Sequence, residues 1–351
     1  MDTSHFLVVV VALGCVFAYT NGFQDGSSVS ASPIASRAMS KHHAVFLTAA
    51  FEYLGALLGG SKVASSISGI TDFPRGVAFL SVLCVALISA IFWNFITRLL
   101  KVPSSSTHAL VGGLIGSIYG VSGSFKYVIM GDFGYFIHPT GVAKVIVTLF
   151  MSPLIGFCAG YLCLRLAMFV FSRATSRLSV ALKHMQWLVL PILAFGHGAN
   201  DTQKVMGLIV MCLAGTVAGP GDMVIPHWVR LLVGFAMALG VVAMAPGIVK
   251  RVGFGIYPQR PVHGLVSELA SAIVVTLGSV TGGPVSASQV IASTVMGVGC
   301  AERRKGVHWL VAKDMLVAWF LTIPCSGLLA FSIYTLVTMT FGPISGALIN
   351  P

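Results

Sequence analysis

Long apolar stretches separated by short polar segments run along almost the whole chain. An α-helix needs ~20 residues to cross the hydrocarbon core of a bilayer, and each stretch could cross that core or dip into it. The stretches show no alternation of polar and apolar residues, and backbone groups in lipid must be satisfied within helices. The pattern predicts an all-α polytopic membrane protein with about ten transmembrane or re-entrant segments. These stretches lie near residues 5–20, 43–59, 77–97, 107–130, 142–164, 187–217, 229–249, 264–281, 284–300 and 309–339.

The composition agrees with this pattern. Hydrophobic residues make up 56% of the chain and charged residues 9%, against roughly 25% charged in a soluble domain. A water-soluble fold is therefore excluded. The first stretch is expected to be a transmembrane segment rather than a signal peptide, because no basic region precedes it.

The net charge of +11 would suggest a nucleic-acid partner in a soluble protein, but its distribution indicates membrane topology. If the N-terminus lies outside, only Lys62, Arg75 and Lys126 fall in outside loops. The positive-inside rule then predicts a multi-pass protein of the cell (inner) membrane with both termini outside and no nucleic-acid partner. The basic residues of the inside loops are Arg37, Lys41, Arg98, Lys101, Arg165, Arg173, Arg177, Lys183, Lys250, Arg251, Arg260, Arg303, Arg304 and Lys305.

Two kinds of segment occur twice. Asn21–Asp25 is similar to Gly198–Asp201, with aspartates 176 positions apart. Pro103–Gly116 is similar to Pro284–Gly297, with prolines 181 positions apart, and these two are the first and second proline segments. In the predicted topology the two copies run in opposite directions, which is typical of secondary transporters with a site between inverted repeats. The spacing predicts a first repeat at 1–164, a basic cytoplasmic linker at 165–186 and a second repeat at 187–351.

Five of the ten acidic residues lie in or beside apolar stretches, where a carboxylate costs about 2.5–3.5 kcal/mol and needs a compensating partner. Asp25 and Asp201 are the strongest functional candidates, because glycines and polar residues surround both. We expect the helix to be broken at each of them, as occurs where backbone lines a cavity. Asn21 and Asn200 offer neutral oxygens that would complete a sodium shell, while protonation of the carboxylates would serve a proton-coupled protein. The sequence leaves both coupling ions open.

The other three acidic residues give weaker indications. Glu52 and Glu268 lie beside small residues that allow close helix approach. Each therefore either supports the site or only makes an interhelical hydrogen bond. Asp314 directly follows Lys313 and is expected to be an interfacial charge.

Each proline segment places serine and threonine residues at the expected start of a helix. Such a start presents hydroxyls and unpaired backbone N–H groups at the positive end of the helix dipole, which favours an anion. One segment alone would more simply be a helix cap, but its recurrence favours two helix starts that face each other and hold a small oxyanion. The expected anion-binding hydroxyls are those of Ser105, Ser106, Thr107, Ser286 and Ser288.

These segments together resemble the signature segments of the PiT inorganic phosphate transporter family. The resemblance rests on Gly198–Gly207, Pro103–His108, the weaker Pro284–Ser288 and the tail Trp309–Pro324, in order along nearly the whole chain. It implies cation-coupled phosphate uptake, with phosphate held by the proline-segment hydroxyls, cations held by the signature Asp and Asn residues, and no cofactor. On this resemblance we also assign Gln203 to phosphate, Ser28 to the cation, and Lys204 and His108 to supporting roles.

The chain departs from the family pattern at four positions. The first signature usually reads close to G-F-H-D-x-A-N-A, whereas Gln24 and Ser28 stand here for its His and Asn. In the second proline segment, Ala287 and Gln289 stand where Thr and His are common. Each departure removes a ligand or titratable group, which leaves the co-transported species open between a proton, sodium and, as in the bacterial branch, a metal–phosphate complex. The expected partners are phosphate and the lipid bilayer, and whether the protein forms a homodimer is left open.

Sulfate is the main alternative substrate, because a tetrahedral dianion would fit the same hydroxyls. Sulfate cannot donate hydrogen bonds at neutral pH, so carboxylate acceptors at Asp25 and Asp201 favour phosphate. An intramembrane hydrolase built from Ser106, His108 and Asp201 is disfavoured, because residues two apart in a helix point to different faces. We therefore expect a transporter and not an enzyme.

Overall fold

The computed structural model describes residues 3–74, 76–132, 139–172, 178–213 and 223–342. Within these ranges the chain is helical, and its β pairing is one isolated antiparallel bridge between Thr71 and Val128. The all-α class predicted from the sequence is therefore confirmed. In chain order the helices are α1 (Thr3–Val29), α2 (Ala31–Ala35), α3 (Lys41–Leu58), α4 (Lys62–Ser68), α5 (Val77–Leu99), α6 (Ser106–Ser122), α7 (Gly141–Val170), α8 (Leu178–Leu213), α9 (His227–Ala243), α10 (Pro246–Lys250), α11 (Pro261–Thr281), α12 (Ala287–Arg303) and α13 (Trp309–Phe341).

Six of these helices, namely α1, α5, α7, α8, α11 and α13, are long and apolar enough to cross a membrane. Two bent pairs, α3 with α4 and α9 with Pro246–Gly255, meet the same requirement when each pair is one segment. The remaining apolar stretches form α6 and α12, which have 17 residues each and are largely buried. Large apolar side chains such as Phe169 and Leu188 lie exposed on the surface, as in a polytopic membrane protein.

The expectation of broken helices at Asp25 and Asp201 is wrong. Both α1 and α8 run without interruption through their aspartates. The glycines nearby allow close helix packing instead, since a Cβ on Gly22 would lie 2.1 Å from the carbonyl oxygen of Met237 on α9. An unbroken helix also keeps its backbone groups paired, which an apolar environment demands.

The helices bend at other positions. The axes of α3 and α4 meet at 75° across Gly59 and Gly60, and α9 meets Pro246–Gly255 at 66°. Glycine has low helix propensity, and proline opens a helix more readily than it continues one, so both bends have a local cause. The bends bring two short helices onto the long ones, because α4 packs on α8 and α10 packs on α1.

Early and late helices pack on one another in reciprocal pairs. α1 packs on α9 while α3 packs on α8, and α6 packs on α13 while α12 packs on α7. Each pair joins one of the helices α1–α7 to one of the helices α8–α13. Helices of the two predicted repeats therefore pack against each other. The predicted linker 165–186 comprises the end of α7, the start of α8 and the connection between them, of which 173–177 lie outside the described residues.

Candidate ion and anion site

Two aspartates that are far apart in the sequence meet in the protein interior. Asp25 on α1 and Asp201 on α8 are both buried, and with His197 they offer ligand atoms that all lie within 4.8 Å of one another. The packing of α1 on α8 brings them together. The structure thus places side by side the two aspartates that the sequence assigned to one site.

Asp201 is surrounded by nitrogen groups. Lys204 Nζ donates to its Oδ1 at 2.8 Å, and Asn21 Nδ2 on α1 donates to its Oδ2 at 3.0 Å. His197 Nε2 lies 3.6 Å from the same Oδ2. Since His197, Asp201 and Lys204 follow one another at helical i, i+4 and i, i+3 spacings, they share one face of α8. The protein therefore supplies its own positive charge beside this aspartate.

Asp25 has different surroundings. Its Oδ2 accepts a hydrogen bond from Ser106 Oγ at 2.8 Å, whereas its buried Oδ1 has no hydrogen-bond partner among the described residues. Asn21 Oδ1 and Ser28 Oγ, on the same side of α1, likewise have none there. A buried polar group without a partner costs about 1–3 kcal/mol. This face of α1 therefore presents three oxygens with unused capacity for a cation or a proton.

The two buried glutamates differ in their contacts. Glu52 Oε1 lies 2.7 Å from His197 Nδ1, so the imidazole joins α3 to the aspartate pair. Glu268 on α11 is equally buried, but neither of its carboxylate oxygens has a hydrogen-bond partner in the described part of the chain. Glu52 therefore belongs to the aspartate cluster, and Glu268 is joined to it by no hydrogen bond between described residues.

The two proline segments meet at the starts of α6 and α12. Ser288 Oγ donates to the Ser104 carbonyl oxygen at 3.0 Å, and Gln289 Nε2 lies 3.1 Å from His108 Nδ1. Ser105 Oγ accepts a hydrogen bond from the His108 N–H at 3.1 Å and so caps α6. Two helix starts, each with a positive dipole end, therefore adjoin in the interior.

The hydroxyl at the start of the second segment is used differently. Ser286 is the N-cap residue of α12, yet its side chain makes no capping hydrogen bond. Its Oγ lies 3.4 Å from Ser288 Oγ instead. Unlike the hydroxyl of Ser105, the Ser286 hydroxyl therefore leaves the backbone N–H groups at the start of its helix uncapped.

Lys204 connects the aspartates to both proline segments. Besides its bond to Asp201, its ammonium group donates to Thr107 Oγ1 at 2.6 Å and to the Val285 carbonyl oxygen at 2.8 Å. These contacts use all three ammonium donors, and the side chain is buried. A cation therefore lies where the two segments meet, beside hydroxyls that the sequence assigned to an anion.

The sequence also matches a family of known proteins over most of its length. The model described as the phosphate transporter family matches residues 21–190 and 172–330. The chain belongs to the phosphate transporter family. The resemblance drawn from the signature segments is thereby confirmed.

Individual members of this phosphate transporter family are similar to the chain over most of their length. A Bacillus subtilis protein named a probable low-affinity inorganic phosphate transporter is 31% identical over 95% of this chain and 97% of that protein. A Mycobacterium tuberculosis protein of the same name is 32% identical over 98% of this chain and 80% of that protein. A solved structure named "The sodium-dependent phosphate transporter" has a TM-score of 0.82 at 22% identity and covers 95% of this chain and 99% of that one. This last likeness shows a shared fold.

Two residues predicted for the site, Gln203 and Asn200, have amide groups that bond to backbone atoms in this protein. Gln203 Nε2 donates to the Ala199 carbonyl oxygen at 2.6 Å, and its Oε1 accepts from the Val63 N–H at 3.0 Å, so the amide lies against α4. Asn200 Nδ2 donates to the Gly283 carbonyl oxygen at 3.0 Å, just before the second proline segment. Both stand next to the aspartate or the lysine in sequence, but successive residues of a helix rotate by about 100° and face different neighbours.

Two residues of the site were missed by sequence reasoning. His197 lies one helical turn before Asp201, and that spacing is the signal that identifies it. Gln24 Nε2 donates to Ser104 Oγ at 2.7 Å, and Gln24 Oε1 accepts from Thr97 Oγ1 at 3.2 Å. The departure from the family pattern at Gln24 therefore ties α1 to the first proline segment, a contact that no local sequence signal indicates.

Proposed function

We propose that the protein carries inorganic phosphate across the cell membrane together with a proton or sodium ions. The observation that carries the proposal is the convergence of two helix starts on Lys204, beside the buried pair Asp25 and Asp201. The names of its relatives and of the similar solved structure support the same substrate and cation coupling. The phosphate ligands are the hydroxyls of Ser106, Thr107, Ser286 and Ser288.

The need for a cation follows from the charges of the cluster. Asp25, Asp201 and Glu52 are carboxylates, and phosphate would add further negative charge beside them. Like charges ~4 Å apart repel by about 4 kcal/mol even at an effective dielectric near 20. Lys204 and His197 offset part of this repulsion, and a cation that arrives with phosphate offsets the rest. Sodium would bind the oxygens on the Asp25 face of α1, whereas a proton would bind the Asp25 carboxylate.

We further propose that the chain consists of two inverted repeats with both termini outside the cell membrane. In support, the bend of α3–α4 precedes α5 as the bend of α9–α10 precedes α11, and the early and late helices pack reciprocally. Labelling of single cysteines placed at Lys126 and at Arg304 in intact cells tests the orientation. Reagents that do not cross the membrane should reach the first position and not the second.

Phosphate uptake into proteoliposomes is expected to be concentrative under a sodium or a proton gradient. Each gradient is imposed alone, with the membrane potential clamped, and labelled phosphate is measured inside. Unlabelled sulfate at the same concentration as the labelled phosphate should leave the uptake nearly unchanged, because sulfate cannot donate a hydrogen bond to Asp25 Oδ1. Uptake that only reaches equilibrium under every gradient would contradict symport, and full competition by sulfate would contradict phosphate as the specific substrate.

Thr107→Val and Ser106→Ala are each expected to weaken phosphate binding by about tenfold. A hydrogen bond to a charged group contributes about 1.5–3 kcal/mol, and 1.4 kcal/mol is a factor of ten in affinity. The matched control is Ser117→Ala, because Ser117 is buried on the same helix. Among the described residues, its side chain bonds only to its own helix, at the Leu114 carbonyl oxygen. Isothermal titration of purified protein with phosphate measures the change. Equal affinities in all three variants would show that Ser106 and Thr107 take no part in binding.

A further inference from the structure

The two aspartates occupy equivalent places on α1 and α8, but their neighbours differ in chemistry. Asn21 and Asp25 on α1 stand 176 positions before His197 and Asp201 on α8, and Ser28 stands 176 positions before Lys204. On α1 the three side chains present oxygens without hydrogen-bond partners in the described ranges. At the equivalent positions on α8, His197 and Lys204 present nitrogens, which lie 3.6 Å and 2.8 Å from the Asp201 carboxylate oxygens. Asn200 Oδ1 also has no hydrogen-bond partner in the described ranges, but the Asn200 amide is bonded to the Gly283 carbonyl oxygen beside the second proline segment.

This difference decides which aspartate can hold a mobile cation. Hard cations take oxygen ligands, and the α1 face offers a carboxylate, an amide and a hydroxyl oxygen. The Lys204 ammonium has three donors and no lone pair, so it cannot be a ligand for another cation. It donates a hydrogen bond to Asp201 Oδ1 and repels any second positive charge beside that oxygen.

We propose that Lys204 is a built-in cation that takes the place of a transported cation beside Asp201, so that the mobile cation binds only at the Asn21, Asp25 and Ser28 face of α1. The inference rests on the proposed symport. On this inference, the second half of the chain contributes the fixed positive charge of Lys204 in place of a co-transported cation. That charge is carried by α8 and is hydrogen-bonded to both proline segments. Transport then needs one cation fewer per phosphate than a site with two mobile cations.

A different role for Lys204 makes a different prediction. If the lysine were only an ion-pair partner that stabilises the fold, replacing it would lower stability and leave the number of coupled cations unchanged. If it stands in for a mobile cation, a small side chain with an oxygen at this position should admit a cation. Lys204→Ser reproduces on α8 the residue that α1 has at Ser28 and is therefore the informative substitution.

The experiment counts cations in purified protein and in proteoliposomes. The logarithm of the phosphate accumulation ratio is plotted against the logarithm of the imposed cation gradient, and the slope gives the cations coupled to each phosphate. In Lys204→Ser this slope should exceed the wild-type slope by about one, because each further cation bound with phosphate adds one linked binding event. In detergent, the phosphate affinity of Lys204→Ser should increase steeply as the sodium or proton concentration is raised. At high concentration of the cation it should approach the affinity of the wild type. An unchanged slope in an active Lys204→Ser protein would overturn the inference.

Two further variants keep the outcome decisive. Lys204→Met has similar length but neither charge nor ligand oxygen, so its phosphate affinity should be lost and should not recover at high sodium or proton concentration. Lys204→Asn replaces Lys204→Ser if the serine variant does not remain monodisperse, because its amide oxygen is also a ligand. Failure of both oxygen-bearing variants to recover affinity with any cation contradicts the inference, as does recovery of the methionine variant. A wild-type slope of zero would instead refute the proposed symport.

Discussion

Asp201→Asn is expected to abolish concentrative phosphate uptake and to destabilise the protein. The amide preserves shape but removes the charge that faces Lys204, and a buried cation without its partner costs about 3–5 kcal/mol. Asp25→Asn should also abolish concentrative uptake, because it neutralises the carboxylate expected to receive the coupling cation. It should cost less stability, since Ser106 can still donate to the amide oxygen. Uptake into proteoliposomes and thermal unfolding in detergent measure the two effects.

Asp314→Asn is the matched control for both aspartates. Asp314 pairs with Arg251 at 2.6 Å, but its side chain is 51% exposed. Exposed ion pairs contribute at most about 1 kcal/mol, so uptake and unfolding temperature should stay close to the wild type. If Asp25→Asn and Asp201→Asn concentrate phosphate as well as Asp314→Asn does, these two aspartates are not the coupling residues.

Gly116→Ala and Gly297→Ala are each expected to cause a large loss of folded protein. A Cβ on Gly116 would lie 2.1 Å from the Gly327 carbonyl oxygen on α13, and one on Gly297 would lie 2.1 Å from the Phe157 carbonyl oxygen on α7. Overpacking of this kind costs about 1–3 kcal/mol or more, and here backbone has to move. The yield of monodisperse protein in detergent and its unfolding temperature measure the loss.

Gly60→Ala provides the comparison for the packing glycines. It adds the same methyl group, but a Cβ at Gly60 meets no heavy atom of the described residues within 4 Å. Its yield and unfolding temperature should match the wild type. If the Gly116 and Gly297 variants also kept the wild-type yield and unfolding temperature, the helix pairs α6–α13 and α7–α12 would be able to move apart at little cost in stability.

The sequence predicts the helices well because the apolar stretches are long and the charges that interrupt them are few. It also predicts that Asp25 and Asp201 belong together, since an uncompensated carboxylate in a membrane is costly and the two occur in similar segments. What it cannot predict is how the glycines beside them are used. A glycine that breaks a helix and one that touches a neighbouring backbone look the same in sequence, and only the partner at Met237 distinguishes them.

The chemistry of the site shows the same limit. The supporting role of Lys204 is predicted from the family resemblance, and its place three positions after Asp201 on one helix accounts for the contact between the two side chains. Its bond to Thr107 spans 97 positions and depends on how α6 meets α8. The contacts of Gln203 also depend on packing that the sequence does not show. Its place in a signature segment predicts a phosphate ligand. In the structure, the bend between α3 and α4 brings the backbone N–H of Val63 within hydrogen-bonding distance of the Gln203 amide oxygen.

The reciprocal packing of early and late helices has a consequence for biogenesis. α1 enters the membrane long before α9 and α8 have been synthesised, so its glycine face and its aspartate have no native partners during that time. Buried polar groups without partners are costly in lipid. The nascent first half must therefore stay in a provisional arrangement, sheltered by the insertion machinery or by water, until ribosomes have completed α8 and α9. We therefore expect assembly to need the whole chain, because a product that ends at α7 lacks the α8 and α9 residues that pack against Asp25 and Glu52.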